Sequence, residues 1–131
     1  MLSDRYTTSN AVHQCSKLPP MHWDGFLNWL FDFEYKKFGI PAPDAVIYLA
    51  VDPEISQKLI TERYNGDETK KDIQEKDTDY LARSRAAAEY CARTLGWHRI
   101  ECTAQDANGT KFMRSVEDIN AEILAELQRI L

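Results

Sequence analysis

Glycine is scarce in this 131-residue chain, and the five present, Gly25, Gly39, Gly66, Gly96 and Gly109, stand apart from one another. Neither a G-x-x-x-x-G-K-[ST] pattern nor a Gly-Lys-Ser/Thr triplet occurs. These residues therefore contain no loop whose backbone amides and lysine could cradle a nucleotide's phosphates while a hydroxyl holds Mg2+. Cysteine is sparser still. Cys15, Cys91 and Cys102 are odd in number and far apart, with no C-x-x-C pair, which fits reduced thiols in the cytoplasm better than a disulfide framework. His13 and Cys15 are alternate residues with no second pair, so no metal site is expected from them. Long apolar runs are missing, as is a basic-then-apolar leader, so no membrane association is expected. Basic excess is missing too: 16 Lys and Arg face 21 Asp and Glu, for a net charge of −5. That argues against a nucleic-acid partner and leaves room for a local anion site.

What the chain does have is 44% hydrophobic residues, enough for one domain over residues 1–131 with a core of its own. "TTSNAVHQCSK" can run as a helix, a weak one given its β-branched and short polar residues, until "LPPM" interrupts it. In "HWDGFLNWLFDFEYKKFG", Trp23, Phe26, Leu27, Leu30 and Phe33 fall at helical spacing. Trp29, Phe31 and Tyr35 widen the apolar surface, so this helix is expected to be buried on more than one side. Lys36 and Lys37 suit its last turn and Gly39 its end.

"PAPDAVIYLAVDPE" carries the architecture. Ala45 to Val51 is an almost unbroken apolar run, the mark of a parallel strand buried on both faces. Asp52 then caps a helix with Pro53 in its first position and Ile55, Leu59 and Ile60 on its apolar face. "RYNGDETKKDIQEKD" reads as a charged excursion around Asn65-Gly66. A long helix follows from about Glu75 to Leu95, with Tyr80, Leu81, Ala87, Tyr90 and Cys91 as buried candidates. "WHRIECTA" reads as one strand and "QDANGTK" as a turn. Ser115 with Asp118 opens the last helix, whose stripe is Val116, Ile119, Ile123, Leu127 and Ile130. The expected class is α/β, with two parallel strands among helices. A parallel sheet of two strands exposes backbone groups along each edge and is hardly viable alone, so part of a larger domain is expected.

At the start, Asp4-Arg5 runs into Tyr6, Thr7, Thr8, Ser9 and Asn10, a concentration of polar side chains suited to positioning a ligand. The couplet by itself also fits a plain ion pair at a strand end. "DRYTTSNAVHQ", followed in order by "PAPDAVIYLAVDPE", "KLITERY", "EKDTDYLARSR" and "SVEDINAEIL", resembles the C-terminal part of a bacterial thymidylate kinase over essentially the whole chain. The resemblance implies a partial P-loop kinase-type three-layer fold, with helices flanking a few parallel strands. The N-terminal strand-loop-helix unit of that family is missing, and Met1-Leu2-Ser3 would be the tail of the strand before Asp4. It implies ATP-dependent phosphorylation of dTMP to dTDP for dTTP synthesis, with ATP and Mg2+ as cofactors and a homodimer as the common assembly. Turnover by these residues alone is not expected, since the main phosphate-binding loop is absent; the alternative is a fragment that at most binds a nucleotide or a partner.

The same resemblance assigns roles. Arg5 would bind phosphate oxygens with its planar fork, and Asp4 would orient Arg5 or hold Mg2+ through water. Asn10 would touch the thymine edge, with Ser9 and Gln14 beside it, and His13 would pack under the deoxyribose where the family often has an aromatic residue. Residues 63–77 would form a lid that closes over ATP, with Arg63, Lys70 and Lys71 as its cations. A solvated charged loop, and solvated helix residues on the first helix, are the bland counterparts of these roles.

Overall fold

The computed structural model describes residues 1–64 and 71–131, with side chains for residues 1–63 and 78–131. Its class is mixed α/β. The helices are α1 (Thr8–Cys15), α2 (Trp23–Phe31), α3 (Pro53–Tyr64), α4 (Lys71–Leu95) and α5 (Val116–Ile130). The strands are β1 (Ile47–Ala50), β2 (His98–Glu101), β3 (Thr103–Gln105) and β4 (Lys111–Met113). A 3-10 turn at Pro20–His22 leads into α2, and a π-helical segment, Asp32–Lys37, continues it.

The core gathers where α1, α2 and α4 meet. Ala11 and Cys15 of α1, Trp23, Leu27 and Leu30 of α2, and Ala87 and Cys91 of α4 form one buried cluster. Small side chains on α1 and α4 allow the helices to approach closely, and the large ones on α2 fill the space between. Burial on α2 runs along a single line, Trp23, Leu27, Leu30 and then Glu34, and Trp29 is 56% exposed. The expectation of burial on more than one side is therefore corrected. The outer aromatics cover one another instead: Phe26 against Trp29, Trp29 stacked on Phe33, and Phe33 edge-on to Phe38. The π turn brings that last pair together, with the Phe38 N–H donating to the Phe33 carbonyl at 2.9 Å. Gly39, at φ 72°, then ends the segment, and the Ile40 N–H reaches back to the Glu34 carbonyl at 3.0 Å, closing the helix as a Schellman turn does.

β1 and β2 pair in parallel, Ile47 opposite His98 through Ala50 opposite Glu101. They form a two-stranded sheet, so a parallel pair stands with no third strand among the described residues. β1 is shorter than the apolar run, and it is not buried on both faces: Ala50 is fully buried and Leu49 is 48% exposed. Successive side chains alternate across the sheet. Tyr48, close to Arg85 and Glu89 of α4, faces the helices, and Leu49 takes the other side. "WHRIECTA" proves to be two strands. At Cys102 the chain leaves β2 and enters a separate antiparallel hairpin, β3 with β4, Thr103 opposite Met113. Cys102 serves both: its N–H donates to Ala50, and its carbonyl accepts from Arg114, each at 2.8 Å.

Both helix starts follow their sequence signals. The Glu54 N–H donates to Asp52 Oδ1 at 2.9 Å, and the Asp118 N–H to Ser115 Oγ at 3.1 Å. Between α3 and α4 the boundaries differ from expectation. α3 runs to Tyr64 and α4 begins at Lys71, so helix occupies both ends of the anticipated 63–77 loop, and residues 65–70 lie outside the described residues. Among the described residues no helix is long and apolar enough to cross a membrane.

Candidate functional site

The polar cluster predicted at the start of the chain sits on and just before α1. Arg5 has φ 64° and is the one non-glycine residue with positive φ among those described. The left-handed region costs an ordinary side chain roughly 1–2 kcal/mol, and Ser3 Oγ, donating to the Arg5 carbonyl at 2.6 Å, helps to hold the turn. Asp4 and Arg5 are both exposed. Among the described residues no ion pair joins them, and no side chain pairs with the guanidinium. The plain reading of the couplet as an internal salt bridge therefore does not describe it.

Helical spacing collects the next four candidates. Ser9 and His13 are four apart, Asn10 and His13 three apart, and Asn10 and Gln14 four apart, so they occupy one side of α1. Ser9 and His13 are half-buried, while Asn10 and Gln14 are exposed. Other elements hold this patch in place. His13 Nδ1 and the Tyr80 hydroxyl of α4 lie 2.7 Å apart, with the two rings nearly parallel, 8° between planes and 6.5 Å between centroids. Asn10 Nδ2 donates to Glu34 Oε1 at 3.2 Å. Thr7 Oγ1 shares a hydrogen bond with the Tyr35 hydroxyl at 2.8 Å, and the Tyr6 hydroxyl donates to the Pro41 carbonyl at 2.8 Å. Burial, eased by the bond from Thr7, pushes the Tyr35 phenol above its ordinary range, so it stays neutral.

Tyr80, Glu34 and Tyr35 were not among the candidates read from the sequence. Glu34 had a usable signal, since it continues the Trp23–Leu27–Leu30 line and so had to be buried. Tyr80 appeared only as a core residue. Its partnership with His13 spans 67 positions, which no local pattern reports. Beside the start of α1 lies an open cavity of about 210 Å³, lined by Thr8, Tyr35, Asp44, Val46 and Trp97 among others.

The remaining candidates do not join this patch. Arg63 is exposed in the last turn of α3, and no hydrogen bond or ion pair among the described residues links it to α1. Lys70 lies outside the described residues. Lys71 opens α4, and its side chain also lies outside them. Of the three cations assigned to the lid, Arg63 is thus the one with a described side chain, and it stands apart from the α1 patch. Asp4 is a lone exposed carboxylate, and among the described residues no three His, Cys, Asp or Glu side chains gather into a set that could hold a metal ion.

A second charged cluster fastens α4 to β2. Arg99 grips Glu89 with Nε and Nη2, at 2.8 and 2.9 Å, and reaches Glu101 at 2.8 Å, and Arg85 lies 3.4 Å from Glu89. Burial raises the Glu101 carboxyl, but bonds from Thr103 and Arg99 outweigh it and hold the group below the ordinary range. Each cation here is matched by a carboxylate, so the cluster is a strut and not an anion site. No protein-family model, no curated protein and no solved structure matches this chain.

Proposed function

We propose that these residues form the acceptor side of a thymidylate kinase, the part that binds dTMP for ATP-dependent phosphorylation to dTDP, on a portion of a P-loop kinase-type fold. The observation that carries the reading is Arg5. An exposed guanidinium on a residue whose backbone lies in the left-handed region, with no ion-pair partner among the described residues, is a cation available to an external anion. The Ser9, Asn10, His13 and Gln14 patch follows within three turns of chain, and its amide groups offer both a donor and an acceptor, as a pyrimidine's N3–H and C4 carbonyl require. Three unpaired thiols suit the cytoplasm, where such an enzyme would work.

The sequence contains no phosphate-cradling loop, so the activity proposed for these residues by themselves is dTMP binding without transfer. The test is titration of the 131-residue chain with dTMP, followed by calorimetry or two-dimensional NMR, beside Arg5→Ala. Saturable binding weakened at least about tenfold in the variant is expected, since a charge-assisted bond contributes roughly 1.5–3 kcal/mol. Equal binding by both proteins, or none by either, would overturn the reading. A parallel assay of ADP release with dTMP, ATP and Mg2+ is expected to give no turnover. A second reading, a self-associating homodimer, is favoured by the exposed Trp29 and Phe38 flanking Phe33. Sedimentation velocity on the wild type and on Trp29→Ser tests it, with dimer in the first and monomer in the second.

A further inference from the structure

We infer that Glu34 is a positioning residue that fixes which way the Asn10 amide faces and so makes the site read a 4-keto pyrimidine and reject a 4-amino one. The inference rests on the dTMP reading above. Glu34 lies on the buried line of α2, where the three preceding members, Trp23, Leu27 and Leu30, are apolar, and only 6% of it is exposed. A carboxyl group in such a place is costly unless it is bonded, and a leucine would pack there at no such cost. Its Oε1 accepts from Asn10 Nδ2 at 3.2 Å, while Oε2 is buried with no donor. The bond to Asn10 is thus the one side-chain contact that satisfies the group among the described residues.

That contact has a direction. A carboxylate only accepts, whereas the asparagine amide has a donor end and an acceptor end. Turning the amide over would set Asn10 Oδ1 against Glu34 Oε1, oxygen against oxygen, with both left unsatisfied. Glu34 therefore claims one N–H of Asn10. The rest of the amide edge, Oδ1 and the second N–H, is left for a ligand. Asn10 is exposed, so that edge is reachable. An acceptor and a donor in fixed order match N3–H and O4 of thymine or uracil. Cytosine presents the reverse, an acceptor at N3 and a donor at N4, and meets like against like.

Replacing Glu34 by Gln tests this, because a glutamine amide can face Asn10 with either its oxygen or its nitrogen and so permits both orientations. Binding of dTMP and of dCMP is measured on the wild type and on Glu34→Gln, with far-UV circular dichroism of each. The wild type is expected to prefer dTMP by about tenfold or more, and Glu34→Gln to bring the two affinities within about threefold. Should Glu34→Gln not fold, Glu34→Asp takes its place. Its carboxylate is drawn back by about one carbon–carbon bond, ~1.5 Å, and the ratio should narrow in the same way. A variant that folds and keeps the wild-type ratio overturns the inference, as does a wild type that binds dTMP and dCMP equally; both leave the dTMP reading standing. A wild type that binds neither nucleotide overturns that reading and this inference with it.

Discussion

The indole N–H of Trp23 is shared between the carbonyl of Cys15, at 2.7 Å, and that of Leu18, at 3.1 Å. One side chain of α2 thereby supplies a donor to the C-terminal end of α1, adding to the Leu18 N–H that the Cys15 carbonyl already accepts at 3.0 Å. Trp23→Phe keeps most of the ring and removes the donor. It is expected to lower unfolding stability by roughly 1–2 kcal/mol in urea, the net worth of the lost indole hydrogen bond together with a small packing defect. A loss under about 0.5 kcal/mol would show that α1 is closed by its own backbone bonds.

The three thiols are predicted to be inert while the chain is folded. Burial pushes the Cys91 thiol up to about 12, with Cys15 beside it adding to the effect. Burial also raises Cys15 and Cys102. The thiolate is the reactive form, so a disulfide reagent at pH 8 should modify all three only after unfolding, at least about 100-fold faster than in the native state. The sign of the pH dependence follows. The folded state prefers the protonated thiols, so stability is fully present below about pH 8.5 and is lost as pH rises towards 12.

At the acid end Asp52 is one of the carboxyls that folding holds below the ordinary range, beside Glu101 and Glu126. The N–H of Glu54 holds its carboxyl below the ordinary range, and the Lys111 ammonium 3.1 Å away adds to this against a smaller burial effect. A carboxyl lowered by folding contributes stability above roughly pH 4, lost as pH falls through the folded value. Asp52→Asn keeps a good helix cap and should flatten the acid limb of a melting-temperature profile between pH 5 and pH 2, in units of about one carboxyl. Asp52→Ala should cost about 1 kcal/mol at pH 7.

Tyr80→Phe removes the hydroxyl beside His13 Nδ1 and leaves the ring. The imidazole then loses the partner that selects its tautomer. The expected result is a changed nitrogen shift for His13 in NMR and a dTMP affinity lower by about fivefold, worth roughly 1 kcal/mol. An unchanged affinity would place His13 outside the binding surface.

The features that could be read from the sequence are those whose physics is local. Asp52-Pro53 and Ser115 with Asp118 declare helix starts because cap and capped N–H groups lie within three residues of each other. Gly39 and Gly96, both at positive φ, end helices for a reason carried by one residue. The features that escaped depend on contacts across the chain or on very short segments. β4 is three residues long, too short for alternation to register. The break at Cys102 depends on Ala50 and Arg114, one on each side of it in space. Within the candidate site, the residue types of α1 were legible, whereas Glu34, Tyr35 and Tyr80, which orient them, come from elements 24 to 67 positions away.

Every rung of the β1–β2 ladder joins residues 51 positions apart, as Ile47 to His98 shows. Closing a chain loop of that length costs roughly 3.5 kcal/mol in entropy, which four paired residues cannot supply before α3 and α4 have folded and shortened the gap. The sheet is therefore the late step of folding, and the helices between its strands are the early one. On a ribosome the delay is longer. At ordinary elongation rates, β1 emerges on the order of 3–10 s before β2 exists, and for that interval the backbone N–H and C=O groups of the edge that β2 will cover stay unpaired by it. The order of synthesis leaves that edge of β1 open to a chaperone before the sheet can form.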